Sequence, residues 1–159
     1  MFEPSWKSKN QDKAVAAVGK IDDQKLLCDI AQDGRLTSRV REAALDRLQT
    51  QVELPLPLQE ELSLMAEGRH RDLALTALRC VTDQPLLARI VLASPQELVR
   101  QQALDRLTDP VVLRDCLEQE LAKSNPIPET IASVCHKLSL AYGGLDRDNA
   151  LFYEARSVL

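Results

Sequence analysis

The stretch Val99-Arg100-Gln101-Gln102-Ala103-Leu104-Asp105-Arg106-Leu107-Thr108-Asp109-Pro110 decides how this chain is read. Its apolar residues recur with the period of a helix, and Asp109-Pro110 then supplies a cap followed by a proline, the punctuation of a new helix start. Working outward, the same pattern returns in Ala77-Leu78-Arg79-Cys80-Val81, Ala44-Leu45-Asp46-Arg47-Leu48 and Ala17-Val18-Gly19-Lys20-Ile21. With Ala103 these begin at positions 17, 44, 77 and 103, a spacing of 27, 33 and 26 residues. A period of this size is the mark of a repeat architecture.

Three of the four segments are followed at one distance by an aspartate (Asp23, Asp83, Asp109) and then by a second apolar run. Those runs are Leu26-Leu27 with Ile30-Ala31, Leu86-Leu87 with Ile90-Val91, and Val112-Leu113 with Cys116-Leu117. Their i, i+1, i+4, i+5 spacing lies along one helical face, so each unit reads as helix, short turn, helix. The reading predicts helices over 11–21, 24–33, 38–49, 58–67, 70–81, 84–93, 95–107, 110–123, 128–142 and 146–158. Ser94-Pro95-Gln96-Glu97 is expected to form a capping box, and Asp83 to cap the helix carrying Pro85. Leu54-Pro55-Leu56-Pro57 accounts for the longer interval as an extended connector within a repeat. Gly34, Gly68, Gly143 and Gly144 fall at expected helix ends, where a left-handed residue is commonly needed; Gly19 is the exception.

Composition sets the class. The chain has 159 residues, 45% of them apolar and only 3% aromatic, which suits one domain whose core is leucine, valine, isoleucine and alanine packed between helices. A net charge of −4, spread without blocks, gives no general attraction for phosphate backbones or anionic membranes. No apolar run approaches the roughly 20 residues of a membrane span, and Met1-Phe2-Glu3-Pro4 carries no signal-peptide pattern, so a cytoplasmic protein is expected. The helical pattern still runs at Leu159, which leaves room for a longer parent chain.

Val40-Arg41-Glu42-Ala43-Ala44-Leu45-Asp46-Arg47-Leu48 and the stretch from Val99 to Pro110 resemble the V-R-x-x-A-L-x-x-L-x-D core of short HEAT repeats, the type also seen in phycobilisome lyases. The resemblance covers residues 10–120, with Ala14 and Ala74 standing where the pattern has Arg41 and Arg100. It implies an all-α, right-handed α-α superhelix of about five helical pairs, with first helices convex and second helices lining the concave side. The repeats fall at 10–34, 35–68, 69–93, 94–123 and 126–159 of a single domain, 1–159. It also implies that the repeat arginine and the turn aspartate bond to one another within and between repeats, a structural ladder rather than a ligand site.

No active site is expected. Cys28, Cys80, Cys116 and Cys135 form no CxxC and have no histidine at ligand spacing, so neither a metal nor a cofactor is anticipated. By register Cys116 is a small core residue, and Cys80, in a place held elsewhere by Lys20, Arg47 and Arg106, is expected to be exposed. Cys135 and His136 are neighbours on a helix and diverge by about 100°, which argues against a thiol dyad. His70 reads as a solvated helix-start residue, and the carboxylates of Asp22-Asp23, Glu60-Glu61, Glu118 and Glu120 as caps or solvated faces. Trp6, beside Lys7, Lys9 and Lys13, is expected to close the open end of the first repeat.

The function expected is therefore a non-catalytic protein–protein interaction or scaffolding module with another protein as partner, and without nucleic acid or membrane contacts. A chaperone-like or lyase-like helper for a bound chromophore or cofactor is the alternative that the repeat type suggests. A relative of the HEAT-like alkylpurine DNA glycosylases would need aromatics and a catalytic aspartate in a basic groove, against one Trp, two Tyr, two Phe and a negative balance here. Register places Asp29, Leu64, Arg89 and Asp115, each immediately before Ile30, Met65, Ile90 and Cys116, in one row on the second helices, and this row is the expected partner-binding surface.

Overall fold

The computed structural model describes residues 4–51 and 53–141; among them every regular element is helical and no strand occurs. The chain divides into two compact units, with the boundary between Asp83 and Gln84, inside the expected third repeat. The last expected helix, 146–158, and Gly143 and Gly144 lie outside the described residues.

The first unit holds a 3-10 turn at Ser5–Lys7 and five helices: α1 Gln11–Val18, α2 Gln24–Gln32, α3 Ser38–Gln49, α4 Leu56–Ala66 and α5 Arg71–Arg79. Asp23 opens α2 by accepting the Leu26 N–H at 2.9 Å, and Leu27, Cys28, Ile30 and Ala31 follow as its buried face. In α3 the buried face is Val40, Ala44, Leu45 and Leu48, and in α5 it is Leu73, Ala74, Ala77 and Leu78. Alanine recurs at one register position of these faces, which allows the backbones to approach while leucines fill the space beside them. α2 packs on α3 and α4 on α5; α1, α3 and α5 stack on one another, as do α2 and α4. The turn carrying the half-buried Trp6 packs on α1.

The second unit repeats the scheme with α6 Gln84–Ala93, α7 Glu97–Arg106, α8 Pro110–Leu121 and α9 Pro128–Ala141. α6 packs on α7 and α8 on α9, while α6 stacks on α8 and α7 on α9. Asp109 caps α8, accepting the N–H of Val111 at 2.8 Å and of Val112 at 3.5 Å, with Pro110 in the first turn. Among the described residues no helix is long and apolar enough to cross a membrane.

Several expectations are corrected. Ser94 does not cap α7: its own N–H closes α6 on the Ile90 carbonyl, its hydroxyl accepts the Gln96 N–H at 3.3 Å, and α7 starts at Glu97 with no side-chain cap. Pro95 lies between the two helices instead of in the first turn of the second. α4 begins at Leu56, not at 58, because Pro57 fits in a first turn where no N–H is required. Cys80 is buried, 4% exposed, since its thiol donates to the Leu45 carbonyl of α3 at 3.4 Å. Neither Gly34 nor Gly68 is left-handed. Gly68 answers to close approach, for a Cβ there would stand 2.9 Å from the Met65 carbonyl oxygen.

Candidate partner-binding surface

Three cations, Arg41, Arg100 and Lys137, are committed to backbone carbonyls at helix ends. Arg41 donates to the Ala31 carbonyl at 2.6 Å and Arg100 to the Ser94 carbonyl at 3.0 Å. Lys137 reaches the carbonyls of Leu104, Asp105 and Leu107 at 2.6, 2.8 and 2.8 Å. The last carbonyls of a helix have no partner inside it and carry the negative end of its dipole, so a cation from the next helix satisfies both needs. Arg41 and Arg100 thus bond to backbone, where an aspartate ladder was expected. Arg47 does meet a turn carboxylate: it holds Asp22 and also donates to the Ile21 carbonyl at 3.2 Å. Burial keeps the Lys137 ammonium below the usual lysine range, against the pull of Asp105.

A second device was not anticipated at all. Gln59, at the start of α4, accepts the N–H groups of Thr82 and Asp83 at 2.8 and 3.0 Å and donates to the Leu54 carbonyl at 2.9 Å. Gln84, at the start of α6, does the same to Thr108 and Asp109 at 2.8 and 3.2 Å and donates to the Arg106 carbonyl at 3.3 Å. Gln24, at the start of α2, donates to the Glu53 carbonyl at 3.0 Å. Each of these glutamines straps one helix start to the turn or connector that follows the next first-layer helix. The signal was the recurring Thr-Asp after Val81 and Leu107, with a glutamine 23 or 24 residues earlier.

Burial, with Glu61 close by, pushes the Cys28 thiol up to about 12; burial takes Cys116 to about 11 and also raises Cys135. His136 and Cys135 stand on different sides of α9, His136 exposed and Cys135 half-buried. A depression of about 350 Å³ is lined by Leu104, Asp105, Ala132, Ser133, His136 and Lys137, but its lysine already donates to the carbonyls of Leu104, Asp105 and Leu107. Among the described residues no three His, Cys, Asp or Glu side chains gather as metal ligands.

On the first unit the outward face of α2 and α4 carries both a charged cluster and exposed leucines. Glu61 of α4 binds Lys25 of α2 through both oxygens, at 2.8 and 3.0 Å, and accepts from the Gln32 amide at 2.9 Å and the Cys28 thiol at 3.3 Å. The ammonium, thiol and amide around it hold the Glu61 carboxyl below the usual range, and the two carboxylates of Glu61 and Asp29 raise Lys25. Beside this cluster, Leu56, Glu60 and Leu64 stand four residues apart along α4. Leu56 is 49% and Leu64 61% exposed, and the exposed Glu60 carboxylate takes no ion pair among the described residues.

Of the four residues of the expected row, Asp29 and Leu64 lie on this face of the first unit; Asp29 is exposed and paired with Lys25 at 3.2 Å. Arg89, half-buried on α6, and Asp115, exposed on α8, belong to the second unit. Leu56, which the sequence reading placed in a connector, joins Leu64. No family model, curated protein or solved structure matches the chain.

Proposed function

We propose that the chain is a non-catalytic protein-interaction module, built as a right-handed α-α superhelix of short HEAT-like repeats and working in the cytoplasm, with another protein as its partner rather than nucleic acid or a membrane. The repeat reading is supported by the recurrence of one fastening scheme: a glutamine at a second-helix start strapped to the turn or connector beyond the next first helix, and cations on the carbonyl ends of their neighbours. A chain that uses its arginines, lysines and amides this way spends its polar chemistry on holding helices in register.

The observation that carries the interaction reading is the exposed pair Leu56 and Leu64 on α4, about half of the first and more of the second open to water on a helix whose opposite face is buried. Single exposed apolar residues are ordinary, but two leucines on one side of one helix offer paired anchors of the kind a partner segment uses. Photo-crosslinking from positions 64 and 115 of the full chain in source-cell lysate, followed by mass spectrometry, tests this. Capture of a protein of fixed identity is expected; capture of nucleic acid, or of nothing from either position, would contradict it.

A further inference from the structure

We infer that the α2/α4 face of the first unit docks a cationic amphipathic segment of a protein partner. That segment sets apolar side chains on Leu56 and Leu64 and places lysines or arginines against Glu60, Glu61 and Asp29. The inference rests on the interaction reading above and adds the chemistry of the partner.

Three observations lead to it. Leu56 and Leu64 lie eight residues, about 12 Å, apart on one side of α4, a spacing that a helical or extended segment matches with two anchors. Glu60 lies midway between them and takes no ion pair among the described residues, while Glu61, its neighbour in α4, and Asp29 of α2 bring two further carboxylates to the Lys25 cluster beside it. The one lysine on this face, Lys25, is already held by Glu61 and Asp29, so the face is net acidic.

Charge then selects the occupant. A second copy of the chain would set these carboxylates against their own images, which costs free energy in a self-complementary contact. Nucleic acid and anionic bilayers are repelled for the same reason. A partner with leucine-like anchors flanked by basic residues satisfies both the apolar and the acidic parts of the face.

The test uses the full chain and two fluorescein-labelled designed peptides with the same leucine spacing, one with lysine and one with glutamate at its polar positions, read by fluorescence anisotropy. The lysine peptide is expected to bind, more weakly as salt rises, and the glutamate peptide not to bind. Leu64→Asp should weaken binding about tenfold or more, Glu60→Lys several-fold, and Leu140→Asp, on an equally exposed leucine of α9, not at all. Circular dichroism shows that each variant is folded. Equal binding of both peptides, an unchanged affinity in Leu64→Asp, or the same loss in Leu140→Asp would overturn the inference. Crosslinking separates it from the broader reading: a protein captured at position 115 alone removes this docking face and keeps the interaction module, whereas capture at neither position removes the module.

Discussion

The two units fasten their second-layer helices by different means. In the first, α2 and α4 are joined at the surface, where Lys25, 57% exposed, meets Glu61, 35% exposed. In the second, Lys123 just beyond α8 donates to the Leu92 carbonyl of α6 at 2.7 Å and to Glu120 at 2.6 Å. Glu120 is wholly buried, and its other oxygen accepts the Ile127 N–H at 2.7 Å. The connection is similar in kind, but water screens one carboxylate and not the other. Burial, not the number of charges, sets what each connection contributes to stability.

The largest expected effect follows from that contrast. Lys123→Met leaves Glu120 buried without its cation and should lower stability by about 2–4 kcal/mol in urea unfolding, whereas Lys25→Met, at a solvent-screened pair, should cost far less. Equal losses would break the comparison. Next come the glutamine straps. Gln59→Ala leaves the N–H groups of Thr82 and Asp83 without their acceptor and should cost about 1–3 kcal/mol; at the half-buried Gln84 water replaces part of the loss, so its alanine variant should cost less.

The glycines of the first unit sharpen the contrast between packed and open positions. Gly68→Ala forces a Cβ against the Met65 carbonyl and should destabilise by about 1 kcal/mol or more. Gly34→Ala meets nothing within 4 Å and should stabilise by about 0.4–1 kcal/mol through the unfolded chain. Melting temperatures moving the same way for both would mean that the turns are misplaced.

The smallest effect is in acid. Glu61's carboxyl is held below its ordinary value of 4.5 in the folded chain, so as pH falls the unfolded chain takes up that proton first. The stability it adds is present above about pH 4.5 and is lost as pH falls through the folded value. Melting followed from neutral to acid pH should descend less steeply in Glu61→Gln than in the parent, and an identical slope would show that the Lys25 cluster does not form in solution.

Helix positions were legible because they depend on local rules. The spacing of Val99, Ala103 and Leu107 and the Asp109-Pro110 start needed no tertiary information. Ser94 misled because a serine before a proline and a glutamate satisfies the capping pattern, and only the neighbouring helix shows that its N–H already closes α6. Cys80 misled because register alone cannot tell an exposed cation site from a thiol that finds a carbonyl on α3. The glutamine straps were missed because glutamine carries no charge and its partners lie more than 20 residues away, so the recurring Thr-Asp gains meaning only when those turns are seen against the starts of α4 and α6. Of the candidate surface, Leu64 followed from register. Leu56 did not, since two prolines around it read as a connector until Pro57 is seen in the first turn of α4.

The central claim is that the α4 leucines serve binding while the buried polar network serves folding. The most direct test measures, in parallel on Leu56→Ser, the melting temperature and the capture of the partner by a photo-crosslinker at position 64. The account predicts a melting temperature within about 2 °C of the parent, as surface substitutions seldom change stability by more than about 0.5 kcal/mol, together with loss of capture. A melting temperature that falls by many degrees while capture persists would contradict it.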